Sequence, residues 1–217
     1  GLRGFLVMES AALMGVPKTN AISVAAAAEA LHTYSLVHDD LPCMDDDDLR
    51  RGVLTVHKKW DEATAVLVGD ALQTFAFELL GQSECSDDPN IIINLISSLT
   101  RAVGAKGMVL GQAQDIEAGS SSYPLGLNEV SELQRNKTGA LIEWSAVAGA
   151  ILAGEDPKEL REYSQALGLA FQIVDDVLDV EGDSSIVGKS VGKDNDAGKL
   201  TFVSLLGLAP AKLRAQA

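Results

Sequence analysis

Apolar residues recur along this chain at three- and four-residue spacing, the period of one face of an α-helix, over almost its whole length. The pattern predicts helices over Phe5–Met14, Ala21–Asp40, Asp61–Gly81, Pro89–Gly104, Ala105–Ala118 and Leu127–Arg135. It continues through Lys137–Ala153, Pro157–Leu167, Gly168–Val180, Leu200–Gly207 and Ala209–Ala217. Gly81 and Gly154 stand where helices stop. Asn128 stands as an N-cap with Glu129 and Glu132 in the first turn. No stretch alternates apolar and polar residues for more than a few positions, and no fixed-period repeat is visible. Loops are left over Leu41–Trp60, Gly119–Gly126 and Glu181–Lys199. The expectation is an all-α, single-domain helical bundle over residues 1–217.

Composition supports helix over sheet, with Ala, Leu and Val dominant, aromatics at 5% and six prolines. The most apolar run, Ala21–Val37, contains Glu29 and His32, so it reads as a buried helix rather than a membrane span. Cys43 and Cys85 lack metal-ligand spacing and suggest reduced thiols in the cytoplasm. The sequence begins at Gly1 without methionine and ends at Ala217 inside a helical pattern, so it reads as lacking N- and C-terminal segments. A net charge of −14 argues against a nucleic-acid partner. That charge is concentrated: Asp39, Asp40, Asp45–Asp48, Asp175, Asp176 and Asp179 fall in two short windows, which points to cation sites.

The second window reads LGLAFQIVDDVLDV over Leu167–Val180. Gln172, Asp175, Asp176 and Asp179 stand at i, i+3, i+4 and i+7, which places them on one helical face. Three carboxylates there repel one another and are costly to desolvate without a counterion. A solvated surface helix would interleave Lys or Arg, and none is present. A hard divalent cation answers both costs, and magnesium binds substrate phosphates as well.

The first window, His38–Gly52, reads HDDLPCMDDDDLRRG. Pro42 interrupts the preceding helix just after Asp39 and Asp40, so helical spacing cannot connect them to Asp45. A bulge could fold Asp45 back beside Asp39, but the sequence does not decide it. Arg50 and Arg51 follow at once and suit an anionic ligand, with guanidinium forks on phosphate oxygens. An acidic loop merely neutralised by two arginines is the plainer alternative. A calcium loop of the helix–loop–helix type is excluded by the absence of its terminal Glu.

DDLPCMDDDDLRRG and FQIVDDVLD, which span these two windows, resemble the two aspartate-rich motifs of the trans-prenyltransferases, the polyprenyl diphosphate synthases. GDALQTFAFELL, GMVLGQ and NKTGALIEWS lie between them in the order the family shows, and the chain is most like its bacterial farnesyl diphosphate-forming members. The resemblance implies an all-α fold of the isoprenoid synthase type with a central active-site cleft, and a homodimer. It implies an enzyme that joins isopentenyl diphosphate to allylic diphosphates.

By the same resemblance Asp39, Asp45 and Asp175 match metal ligands, supported by Asp40, Asp176 and Asp179. The implied cofactor is Mg2+, several ions per site, with Mn2+ as a substitute. Arg50, Lys137, Lys189 and Lys199 match contacts to the allylic diphosphate; Arg3, His32 and Arg51 match the isopentenyl diphosphate pocket. Lys137, Thr138 and Gln172 match groups beside the reacting centre, and His57 a phosphate contact. The chain departs from the pattern at Gly4 and Leu54, where proline is usual, and it begins after the family's first lysine.

Tyr34 and Ser35, five and four positions before Asp39, match the pocket floor that sets product length. A ring there is expected to stop growth at fifteen carbons, with twenty as the alternative. Terpene cyclases of the same fold generally replace the second aspartate motif, and regulatory subunits typically lose one motif. This chain keeps both. A generic acidic cation-binding bundle would leave Arg50, Arg51 and Lys137 without a role.

Overall fold

A computed structural model describes residues 1–120, 125–181 and 201–216. Among these residues the chain is helical apart from one small hairpin, as the periodicity requires. The elements begin with α1 (Leu2–Leu13), α2 (Lys18–Asp39), β1 (Leu49–Arg50), β2 (Val53–Leu54), α3 (Val56–Lys59) and α4 (Glu62–Leu80). Next come α5 (Pro89–Val103), α6 (Met108–Ser120), α7 (Leu127–Gln134) and a π-helical turn, Arg135–Gly139. The chain continues through α8 (Ala140–Ala153), α9 (Lys158–Glu181), α10 (Phe202–Leu206) and α11 (Leu208–Gln216). They group into two compact units, one of Gly1–Arg101 with Leu141–Glu162, the other of Ala102–Ala140 with Tyr163–Ala217.

In the first unit α2 packs against α1 and α4. Its buried positions are mostly small, with Ala21, Ala27 and Ala28 beside Val24 and Leu31, so neighbouring helices can come close. Two glycines admit still closer contacts, one to a side chain and one to backbone. A Cβ on Gly69 of α4 would lie 2.0 Å from the His38 ring, and one on Gly149 of α8 would lie 2.2 Å from Ser10 and Ala11 backbone atoms. Gly149 N–H also donates to buried Ser10 Oγ at 3.1 Å. Beneath the first aspartate window, Val37, Leu41 and Ala65 form a buried cluster flanked by Met44, Val56, Val68 and Leu72. That cluster anchors the end of α2, from which the acidic loop departs.

In the second unit Val130, Ile173, Phe202 and Ala211 form the buried cluster joining α7, α9, α10 and α11. Thr201 and Ser204 exchange side-chain and backbone hydrogen bonds at the start of α10, a reciprocal cap.

Three local expectations are corrected. α9 runs unbroken through Leu167 and Gly168, because Gly168 is a buried packing position with Gly139 Cα 3.5 Å from where its Cβ would be. Tertiary packing outweighs the propensity cost of a helical glycine. The cap of α7 is Gly126 rather than Asn128; Glu129 reaches back to accept the Gly126 N–H at 2.5 Å. The expected loop Leu41–Trp60 contains the hairpin and α3. The hairpin turns on Arg51 (φ 52°) and Gly52 (φ 77°), both left-handed as a two-residue type I′ turn demands.

α4 is the one helix among the described residues long and apolar enough to cross a membrane. It carries Asp70 and Glu78 and packs along α2.

Candidate active site

The acidic loop answers the question Pro42 poses. After α2 ends, Asp45 N–H donates to the Asp39 carbonyl at 2.9 Å, and Asp46 N–H donates to the Leu41 carbonyl at 3.1 Å. The chain makes a tight return, so Asp45 comes back against Asp39 despite the broken helix. Asp46 takes a left-handed φ of 49° to complete it.

Asp40 takes a different part from its neighbours. It is buried, 4% exposed, and its Oδ1 accepts from both Arg50 Nε, at 2.7 Å, and Arg50 Nη2, at 2.5 Å. Asp47 adds a second carboxylate 3.6 Å from Arg50 Nη2. Burial opposes the Arg50 charge, but the Asp40 hydrogen bond and the charges of Asp40, Asp47 and Asp39 raise its pKa above the ordinary value. Asp40 therefore aims Arg50, whereas Asp39 and Asp45 lie on the returning turn.

Arg51 stands beside Arg50 but in a different electrostatic group, with Arg3 of α1 and His32 of α2. Arg3 is half-buried, and its Nε is buried with no hydrogen-bond partner. Its pKa is pushed down to about 10, first by burial and then by Arg51, against the pull of Glu29. His32 is pushed down to about 4 by burial and by Arg3, with Glu29 opposing and Arg51 adding to the shift. Burial also disfavours the Glu29 carboxylate, but the Gly4 N–H it accepts at 2.7 Å and the charges of His32 and Arg3 hold it below its usual range. Two guanidinium groups and an imidazole driven neutral first by burial and then by like charge form an environment short of an anion.

One turn beyond His32, Ser35 Oγ donates back to the His32 carbonyl at 2.9 Å. The Tyr34 ring lies edge-on to His38, centroids 5.3 Å apart. Its hydroxyl pKa is raised by burial and by Asp39 and Asp70 nearby.

In the second unit the acidic face of α9 turns inward. Asp176 and Asp179 are buried, while Phe171, Val174 and Leu178 on the same helix are exposed, the reverse of an ordinary amphipathic helix. Asp176 spends one oxygen on Gln172 Nε2, at 3.0 Å, and the other on Phe202 N–H, at 2.7 Å. It anchors Gln172 and the start of α10. Asp175 is half-buried on the same face. Lys137 and Thr138 sit in the π-helical turn, and Lys137 Nζ is 2.6 Å from Asp115 Oδ2. Lys189 and Lys199 lie outside the described residues.

The family model for polyprenyl synthetase matches residues 1–216. This chain is a member of the polyprenyl synthetase family. It is 46% identical to the farnesyl diphosphate synthase of Haemophilus influenzae, covering 99% of this chain and 74% of that protein. The crystal structure of an FPP/GFPP synthase from Zymomonas mobilis superposes with a TM-score of 0.88 at 45% identity, over 99% of this chain and 72% of that one. A geranyltransferase from Helicobacter pylori, solved with magnesium and isoprenyl diphosphate, superposes at 0.87 with 40% identity, over 99% and 72%.

Within this polyprenyl synthetase chain, two groupings escaped the sequence. A ring nitrogen of His57 and a carboxylate oxygen each from Asp46 and Asp48 lie within 4.8 Å of one another, an acidic group able to hold a metal ion. His57 is buried, with Nδ1 3.2 Å from Thr55 Oγ1 and Nε2 unpartnered. Asp48 also pairs with Lys58 at 2.9 Å. The other grouping is Asp115 with Lys137, 22 positions apart. Neither follows a helical period, so no spacing rule could have found them.

Proposed function

We propose that this chain is a magnesium-dependent prenyltransferase that condenses isopentenyl diphosphate with dimethylallyl and geranyl diphosphates to give farnesyl diphosphate. The observation that carries it is the cationic group of Arg3, His32 and Arg51, with the Arg3 Nε buried and unpartnered. A buried guanidinium donor without an acceptor costs stability, and a diphosphate oxygen supplies that acceptor. Family membership then selects isopentenyl diphosphate as the anion.

The reaction begins at the allylic diphosphate. Arg50, aimed by Asp40, and Lys137 bind its phosphate oxygens, joined by Lys189 and Lys199. Asp39, Asp45 and Asp175 offer hard oxygen donors that suit Mg2+ or Mn2+. Such an ion, when bound, withdraws charge from the diphosphate and makes it a better leaving group. The C–O bond breaks with its electrons going to the diphosphate, and an allylic cation is left. Thr138 and Gln172 present a hydroxyl and an amide oxygen that stabilise that cation. The double bond of isopentenyl diphosphate, held by Arg3, His32 and Arg51, attacks the cation. The adjacent carbon then loses a proton to the released diphosphate, and a new allylic diphosphate five carbons longer remains. Tyr34 and Ser35 limit it to fifteen carbons. The whole chain, residues 1–217, is assigned to this one activity, and it works as a homodimer in the cytoplasm by analogy with the family.

The test is incubation with radiolabelled isopentenyl diphosphate, each allylic primer and magnesium, followed by chromatography of the dephosphorylated alcohols. Farnesol as the end product is expected. No elongation with any primer overturns the enzyme reading, and geranylgeraniol as the main product overturns the assignment of Tyr34.

A further inference from the structure

The π-helical turn Arg135–Gly139 interrupts the path from α7 into α8. Such turns are rare, concentrate at functional sites, and persist where surrounding contacts hold them. Here the contacts come from one face of α6, through residues 111, 114 and 115 at i, i+3 and i+4. Gly111 admits the turn's backbone: a Cβ there would lie 2.1 Å from Lys137 N and 2.4 Å from Lys137 Cα. Gln114 Oε1 accepts from Asn136 Nδ2 at 3.1 Å. Asp115 Oδ2 accepts from Lys137 Nζ at 2.6 Å.

The ion pair is well enclosed, with the Lys137 side chain 21% exposed and Asp115 16%. Enclosure separates it from the surface pairs whose contribution is screened away. A lysine stem has four rotatable bonds and its ammonium has three N–H donors. One donor given to Asp115 fixes the ammonium and leaves others for a phosphate oxygen.

We propose that Asp115 is a positioning residue that holds the Lys137 ammonium ready for the allylic diphosphate, while Gly111 and Gln114 hold its backbone. This rests on the function proposed above. Asp115 is placed on the Lys137 ammonium, and its effect on the allylic site runs through that group. Its loss is therefore felt by the allylic substrate and not by isopentenyl diphosphate.

The experiment is steady-state kinetics of Asp115→Asn, Asp115→Glu, Lys137→Met and the double variant Asp115→Asn/Lys137→Met. In Asp115→Asn the KM for geranyl diphosphate should rise about tenfold, the scale of a lost charged hydrogen bond, with the KM for isopentenyl diphosphate unchanged. Asp115→Glu, which keeps the carboxylate, should recover part of the loss. The double variant should match Lys137→Met alone, because a residue acting through another adds nothing once its partner is gone. An equal rise in both KM values, or additive losses in the double variant, overturns the proposal. Should Asp115→Asn fail to fold, Asp115→Glu carries the test: a selective rise in the geranyl diphosphate KM supports it, and any other result overturns it. If wild-type protein elongates no primer, the proposed function fails first. Calorimetric binding of inorganic pyrophosphate with magnesium then still tests the placement. Weaker binding by Asp115→Asn supports it, and equal binding overturns it.

Discussion

His32 shows how one side chain reports its surroundings. Its pKa of about 4, against an ordinary 6.5, follows from burial and the neighbouring Arg3. Between those values the unfolded chain binds a proton at this position that the folded chain refuses. Stability therefore rises with pH across that window. The contribution is complete above pH 6.5 and is lost as pH falls toward 4. His32→Gln, which cannot titrate, should flatten part of the acid limb of a plot of Tm against pH, measured by circular dichroism. An unchanged acid limb would contradict the depressed pKa. A bound diphosphate would act in the opposite direction and draw a proton onto the imidazole.

At the scale of elements, the first unit depends on helices that touch backbone to backbone. Gly149 of α8 lies where a methyl group would meet Ser10 and Ala11 at 2.2 Å, and neither partner atom can swing aside. Gly149→Ala should destabilise the protein by about 2 kcal/mol, within the usual range for overpacking. Urea unfolding checks it, as a lower midpoint at unchanged slope. A variant as stable as wild type would show that α8 and α1 can separate without cost. The hairpin is a smaller example. Its left-handed turn exposes Leu49, Val53 and Leu54 but places Arg50 against Asp40 and Arg51 within the electrostatic reach of Arg3 and His32.

For the molecule as a whole, the proposed chemistry needs acids from both windows. Asp39→Ala and Asp175→Ala should each lower turnover at least a hundredfold, roughly the loss seen when one preorganised charge-stabilising group is removed. Far-ultraviolet circular dichroism should stay that of the wild type, since Asp39 and Asp175 are only half-buried. Asp176 and Asp179 differ. They are buried, and replacing Asp176 would also remove the acceptor for Phe202 N–H. Normal turnover in either Asp39→Ala or Asp175→Ala would contradict the mechanism.

What the sequence determined by itself was local. Helical period located nearly every helix, and it placed Gln172, Asp175, Asp176 and Asp179 on one face of α9, because positions three and four apart are neighbours on any helix. Motif resemblance supplied the family and the candidate roles. The tertiary structure decided what period cannot carry. It returned Asp45 to the Asp39 carbonyl past Pro42, gave Asp40 to Arg50, and kept α9 whole at Gly168. It brought Arg3, His32 and Arg51 into one electrostatic group and set Asp115 on Lys137. These pairings join residues on different elements, or across a break in one. Their partners are chosen by how closely the backbones pack, and small residues such as Gly111 and Gly149 set that closeness.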